Sequence, residues 1–168
     1  DFTCIAIDLP GYGKSYKNAE NLTATYFTEI IRKFTEELKI ENFTLVGHSM
    51  GGQAAINFAA NYPENLDTLI LVAQAGIEKF TPYEGAAMKM VMKQSTIMAT
   101  TPEQIHRNYQ LNFFKMPADA EKMILDRKNI INASDFDLHA LAIENSVKGM
   151  LDDTVTEDFP KIKTSTLF

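Results

Sequence analysis

The run Gly47-His48-Ser49-Met50-Gly51 constrains this chain more than any other feature. A short apolar stretch of strand character, Phe43 to Gly47, leads into it. Met50 to Asn61 follows, rich in small residues and ending just before Pro63, as helices do ahead of proline. In that setting G-x-S-x-G reads as a serine held on a sharp strand-to-helix turn. Such a turn strains the central residue and presses its neighbours against the adjoining strand and helix. Gly47 and Gly51 are expected where side chains would clash, and Gly52, Ala54 and Ala55 continue the same economy of bulk. The turn lifts the Ser49 hydroxyl over the carboxyl edge of a sheet, where ligands bind in open α/β folds. The helix beyond it aims its N-terminal amides at the same place, with Met50 N–H as one oxyanion donor. Ser49 is thus the candidate nucleophile; the competing reading is a glycine-rich turn before a helix.

The surrounding pattern agrees with an α/β layer. Phe2 to Leu9, ended by Pro10-Gly11, reads as a buried parallel strand. Phe27, Ile30, Ile31, Phe34 and Leu38 recur at helical spacing and predict a helix from Thr23 to Lys39. Leu66 to Ala73 is a further strand, too apolar for a solvated face. Strand and helix alternating with short connections predict a parallel sheet with helices on both sides. After Gly76 the character changes. Ile77 to Val155 is helical in propensity, broken at Pro82, Pro102 and Pro117, and predicts four or so short helices packed as a lid. Seven of the eight methionines fall there; filling the lid's core is their expected role, with an adaptable apolar wall as the alternative. Strand character returns at Pro160 to Phe168. The expected division is 1–76 core, 77–155 helical insertion, and 156–168 return to the core with an incomplete strand.

Composition narrows the partners. At 168 residues the chain can bury the core of one compact domain. A net charge of −6 argues against nucleic acid. No stretch approaches the roughly 18 to 20 apolar residues of a membrane span. Asp1 opens directly onto the first apolar run with no basic segment before it, so no signal peptide is read and the cytoplasm is the default. The single cysteine, Cys4, is expected as a small buried hydrophobe. The N-x-S/T triplets at Asn21, Asn42 and Asn132 read as chance matches. No metal or cofactor is implied, a small molecule is the expected partner, and oligomeric state is not legible. The loop Asp8-Leu9-Pro10-Gly11-Tyr12-Gly13-Lys14-Ser15 lacks the spacing of a phosphate cradle and the helix a dinucleotide site needs. It reads as a structural turn.

Together, "DLPGYGKS", "LVGHSMGG" and "NYPENLDTLILVA" resemble the α/β-hydrolase superfamily, especially members with a helical cap inserted after the strand that follows the nucleophile helix. The resemblance covers residues 1–76 and the returning strand, and the insertion by position. It implies Ser49 as nucleophile, Met50 as oxyanion donor, 77–155 as cap, and His48 as a structural residue pointing away from the site. The family's order is Ser, then Asp or Glu, then His. The acid is expected after the strand that follows the cap and the histidine after the last strand, and neither position occurs in this chain. Ala73 to Gly76, where some members carry the acid, holds no carboxylate. The loop bearing the second oxyanion donor is absent as well, with the strand before it, which the family places between Phe2–Leu9 and Phe43–Gly47. The chain is therefore expected to be an internal fragment, inactive by itself. His106 and His139 are expected as solvated or core-satisfied helix residues rather than bases. The resemblance implies a serine hydrolase acting on a small, mostly apolar ester or related acyl compound through an acyl-enzyme; the alternative is a non-catalytic small-ligand binding protein. A serine nucleophile is unlike the aspartate of haloalkane dehalogenases and epoxide hydrolases. It suits carboxylesterases, lactonases, carbon–carbon bond hydrolases and cofactor-free haloperoxidases alike.

Overall fold

Thr23 starts the first helix by accepting a hydrogen bond on its hydroxyl from the Tyr26 amide at 3.1 Å, an N-terminal cap. In the computed structural model, which describes residues 2–17 and 20–168, helix α1 then runs Ala24–Glu37. Strand β1, Phe43–His48, follows. Helix α2, Met50–Asn61, comes next and ends at a 3-10 turn, Pro63–Asn65. That turn delivers the chain into strand β2, Leu66–Val72. The two strands pair in parallel, from Phe43 opposite Leu66 to His48 opposite Val72. Strand β3, Ser165–Leu167, pairs in parallel with the other edge of β2, giving the order β1-β2-β3. Phe159–Lys161 is wound into a 3-10 turn, so the last strand begins later than its apolar run suggests.

The core lies between the sheet and the α1–α2 pair. Phe27, Ala54, Ala55, Ile56, Phe58, Leu69 and Leu71 are buried together there. Alternation along the strands explains the division. Leu45, Gly47, Leu69 and Leu71 face the helices, while Val46, at 62% exposure, lies opposite Ile70 on the other face with His48 and Val72. Helices were expected on both faces; among the described residues only one face is covered.

The first apolar run departs most from expectation. Phe2–Leu9 is extended but joins no strand ladder, Phe2 is 95% exposed, and Cys4 is exposed rather than buried. A strand is stable only where its amides and carbonyls find a neighbour's. The resemblance places another strand between this run and β1, and without that strand its ladder groups have nothing to pair with. Only Ile7 and Leu9, at its end, pack on the core. Asp1, the residue before this run, lies outside the described residues.

Beyond Gly76 come five helices, one more than the rough expectation. These are α3 (Pro82–Val91), α4 (Gln94–Met98), α5 (Pro102–Asn112), α6 (Ala120–Ile131) and α7 (Phe136–Asp152). Two of the prolines read as breaks are first residues of helices. Pro82 and Pro102 each follow a threonine that forms a capping box, Thr81 with Glu84 and Thr101 with Gln104, so the proline's missing N–H is one no helix needs. The segment leaves and rejoins the core at one point, where Val155 N–H donates to Gly76 O at 3.2 Å. Its packed interior is Ile97, Phe136 and Ala140, with Ile105, Ala120 and Ile124 buried nearby. The methionines do not form this core. Met90, Met92, Met98 and Met123 are exposed, and Met88, Met116 and Met150 half-buried. Branched and aromatic side chains fill the helix contacts instead. Among the described residues no helix is long and apolar enough to cross a membrane.

Candidate active site

Ser49 stands between the last residue of β1 and the first of α2, with φ 51° and ψ −122°, a backbone conformation costly for any residue but glycine. Its neighbour across the sheet behaves alike: Ala73, just beyond the end of β2, has φ 43°. Because His48 pairs with Val72, these two strained residues lie side by side at the carboxyl edge. Backbone bonds lock them. Ser49 N–H donates to Val72 O at 3.1 Å, and Ser49 O accepts from Ala75 N–H at 3.0 Å and from Gly52 and Gln53 N–H in the first turn of α2.

A serine before a helix ordinarily turns its hydroxyl onto an amide of the first turn. Ser49 makes no such bond. It lines a cavity of about 220 Å³ whose wall includes Ala73, Gln74, Gly76, Glu78, Phe80, Met88 and Met150. Met50 opens α2, and its N–H, like that of Gly51, finds no acceptor within the helix. A larger, more open cavity of about 590 Å³ adjoins it through Glu78, Phe80, Leu151 and Thr154 but does not reach Ser49; it runs between α3 and the end of α7.

The glycines divide. A Cβ on Gly47 would lie 2.6 Å from Gly51 O, 2.7 Å from Gly52 Cα and 2.9 Å from Ala55 Cβ, and one on Gly52 would lie 2.6 Å from Gln74 Cβ. Those two positions admit no side chain. Gly51 faces open space, and a Cβ added there would meet nothing within 4 Å, so the clash expected at this position is not found. His48 is exposed on the far face of the sheet.

The sequence reading missed Gln53. It is completely buried, and its Nε2 donates to Met150 O at 3.1 Å and Asp153 O at 2.6 Å. A side chain of the helix behind Ser49 thereby satisfies the last carbonyls of α7, which have no intrahelical donors. This fixes the helix that brings Met150 and Leu151 to the cavity. Glu78, the one carboxylate on the cavity wall among the described residues, was also missed. It lies two residues past the stretch searched for an acid.

Residues 1–157 match the family model described as the alpha/beta hydrolase fold. The chain belongs to the α/β-hydrolase fold family. Its similarity to curated members is partial. It is 29% identical over 137 residues to monoacylglycerol lipase ABHD6 of Homo sapiens, covering 73% of this chain and 40% of that one. It is 41% identical over 78 residues to an uncharacterized protein of Mycobacterium tuberculosis, covering 46% of this chain and 23% of the other. Among solved α/β-hydrolase structures, the esterase EaEST of Exiguobacterium antarcticum superposes with TM-score 0.72 at 24% identity, over 95% of this chain and 59% of the esterase. A bromoperoxidase of Bacillus anthracis superposes with TM-score 0.74 at 17% identity, over 95% and 59%. The chain thus spans between 23% and 59% of the length of these relatives.

Neither histidine of the helical segment of this α/β-hydrolase chain lines the Ser49 cavity. His106 is half-buried on α5 beside Gln110. His139, 6% exposed, is satisfied within the structure: Nδ1 lies 3.0 Å from Gly11 O, and Nε2 lies 3.3 Å from an Arg127 guanidinium nitrogen. The carbonyl requires the proton on Nδ1, leaving Nε2 to accept from Arg127. Tyr12 completes the enclosure, edge-on at 5.6 Å between ring centroids. The loop beneath is tied by its own residues, with Lys14 N–H donating to Asp8 Oδ2 at 2.9 Å.

Burial holds the His139 pKa below its ordinary value, opposed by the Gly11 carbonyl, with Arg127 and Lys17 lowering it further and Asp135 raising it. A histidine so depressed takes up more protons unfolded than folded, so its contribution is complete above the ordinary pKa of about 6.5 and declines as pH falls from there towards the folded value. Thermal denaturation of wild type and His139→Gln should therefore show the wild type losing more stability between neutral pH and mildly acid pH. Parallel curves would show that His139 titrates alike in the folded and the unfolded protein.

Proposed function

We propose that the full-length protein is a serine hydrolase in which Ser49 attacks the carbonyl of a small, mostly apolar ester or related acyl compound, forming an acyl-enzyme that water then hydrolyses. The observation that carries this is a serine on a strained bend that makes no capping bond and lines a cavity of about 220 Å³. Strain of this kind persists only where the surroundings enforce it, and it gathers at reactive centres. Here two parallel strands and the mutual bonds of Ser49, Val72 and Ala75 enforce it.

In this reading Met50 N–H donates to the developing oxyanion, reinforced by the N-terminal end of α2. Residues 77–155 serve as a cap, their α3 and α7 contributing Met88 and Met150 as an apolar wall for the acyl or alcohol group. Gly47 and Gly52 allow the turn to close, and His48 has no part in the chemistry. The base that deprotonates Ser49 and its acid partner come from other parts of the longer protein. The esterase and the monoacylglycerol lipase among the similar proteins support an ester as the substrate class.

Exposure of the full-length protein to a fluorophosphonate probe tests the proposal. Covalent labelling at Ser49, abolished by Ser49→Ala, is expected. A well-folded protein that resists the probe while still binding a small apolar ligand would establish the non-catalytic alternative.

A further inference from the structure

We infer that Gln53 is a positioning residue for the reaction at Ser49, a role that rests on the hydrolase reading: it sets how firmly the cavity holds a substrate rather than how fast the serine attacks. Helix α2 meets both ends of the helical segment at this one side chain. Where the segment departs, Gly76 closes over Gln53 with φ 89°, and a Cβ there would lie 2.6 Å from Gln53 Cγ and 2.7 Å from Cδ. Where it returns, Gln53 Nε2 holds the carbonyls of Met150 and Asp153. Val155 N–H then donates to Gly76 O, joining the two sides around the amide. The backbone N–H of the same glutamine donates to Ser49 O at 3.1 Å.

The neighbours of Gln53 in α2, Gly52, Ala54, Ala55 and Ile56, are small or apolar and buried. Gln53 is completely buried among them, and within the described residues its Oε1 has no partner. A buried acceptor without a donor lowers stability, so the amide is tolerated for its donor half. That half holds the backbone of Met150, the residue whose side chain lines the Ser49 cavity. The Ser49 turn, by contrast, keeps its own backbone bonds to Val72 O and Ala75 N–H whatever side chain stands at position 53. Removing the amide therefore frees the wall and leaves the nucleophile in place. Because Gln53 is enclosed by α2, Gly76 and the end of α7, this linkage is complete within the chain.

Steady-state hydrolysis of p-nitrophenyl butyrate by the full-length protein, with fluorophosphonate labelling of Ser49 alongside, is the test. Gln53→Met keeps the length of the side chain and removes its donors. KM should rise about tenfold, the low end for one lost apolar contact with a substrate, while kcat and the labelling rate stay within about twofold of wild type. Gln53→Glu adds a readout that packing alone does not move. Burial, the two carbonyls and the Asp153 carboxylate, which accepts from Thr25 N–H, all raise the pKa of the introduced carboxyl. Protonated, it donates to one carbonyl; ionised, it repels both. Its KM relative to wild type should be lowest at acid pH and climb as pH rises between about 5 and 9, while the ratio for Gln53→Met stays flat. This pH series keeps the test decisive if the methionine variant does not fold. A wild-type KM in Gln53→Met, or a flat ratio in Gln53→Glu, would overturn the inference and leave the hydrolase reading standing. So would a fall in kcat at unchanged KM, which would place the effect on the Ser49 turn. A wild type that neither labels nor turns over the ester would remove both.

Discussion

Gly47→Ala is expected to cost about 3 kcal/mol of stability, the upper part of the range for forcing a methyl group into a closed space, and to lower fluorophosphonate labelling of Ser49 about a hundredfold. The added Cβ meets Gly51 O and Gly52 Cα at 2.6 and 2.7 Å. Both are backbone atoms of the turn itself, so no rotamer change relieves the overlap. Relief requires β1 and the start of α2 to separate. That displaces Ser49 from the bonds to Val72 O and Ala75 N–H that hold its conformation. A shift of about 1 Å at a reacting group is enough for a hundredfold loss. The companion Gly51→Ala should behave oppositely in this chain. Its Cβ meets nothing within 4 Å, and alanine in a helix is worth up to about 1 kcal/mol over glycine. Urea unfolding of the two variants makes the comparison. Equal losses would show that the motif's glycines act through backbone flexibility rather than space.

Gly149→Val is expected to cost at least about 3 kcal/mol and to open the Ser49 cavity. Propensity alone would favour a side chain in the interior of α7, since glycine costs about 1 kcal/mol there. Packing decides otherwise. A Cβ on Gly149 would overlap Leu22 O and stand 2.8 Å from Leu22 C and 3.0 Å from Thr23 Cα, the backbone entering α1. Helix α7 would have to lift from that contact, and its anchors lie within one turn. Thr25 N–H donates to Asp153 Oδ2 at 2.9 Å, and Gln53 Nε2 binds the carbonyls of Met150 and Asp153. Losing the Gln53 bonds leaves a buried amide unpaired, at about 1 to 3 kcal/mol. Met150 and Leu151 would leave the cavity with the helix. The expected readouts are a lowered melting temperature and faster proteolysis between Ile77 and Val155. A variant as stable as wild type would show that α7 does not rest on Leu22.

These two glycines show how far the sequence could be read. The spacing Gly47, Ser49, Gly51 located the turn because its signals are local: an apolar run, a small-residue helix and Pro63, all within about twenty residues. Gly149 carried no signal, because its constraint is the backbone of Leu22, far away in sequence. Gln53 was silent for the same reason; a polar residue in a small-residue helix reads as solvated until the carbonyls of α7 are seen above it. The methionines were read by type, as adaptable filler. Which of them face the cavity, the solvent or neither depends on the rotation of each helix about its own axis, which short helices of mixed polarity leave unspecified.

By itself, the sequence determined the alternation of strands and helices in the first half, the strand-to-helix bend at Ser49, the helical character of 77–155 and the return to strand near the end. Each follows from the period of apolar residues or from the backbone limits of proline and glycine, which act over a few positions. The tertiary structure alone decided that Cys4 is exposed, that Gly51 has room and Gly47 none, that His139 serves the Gly11 carbonyl, and that Met88 and Met150 line the Ser49 cavity. Those outcomes depend on which distant segment arrives alongside, and a ladder partner, a colliding carbonyl or a cavity wall exists only once it has arrived.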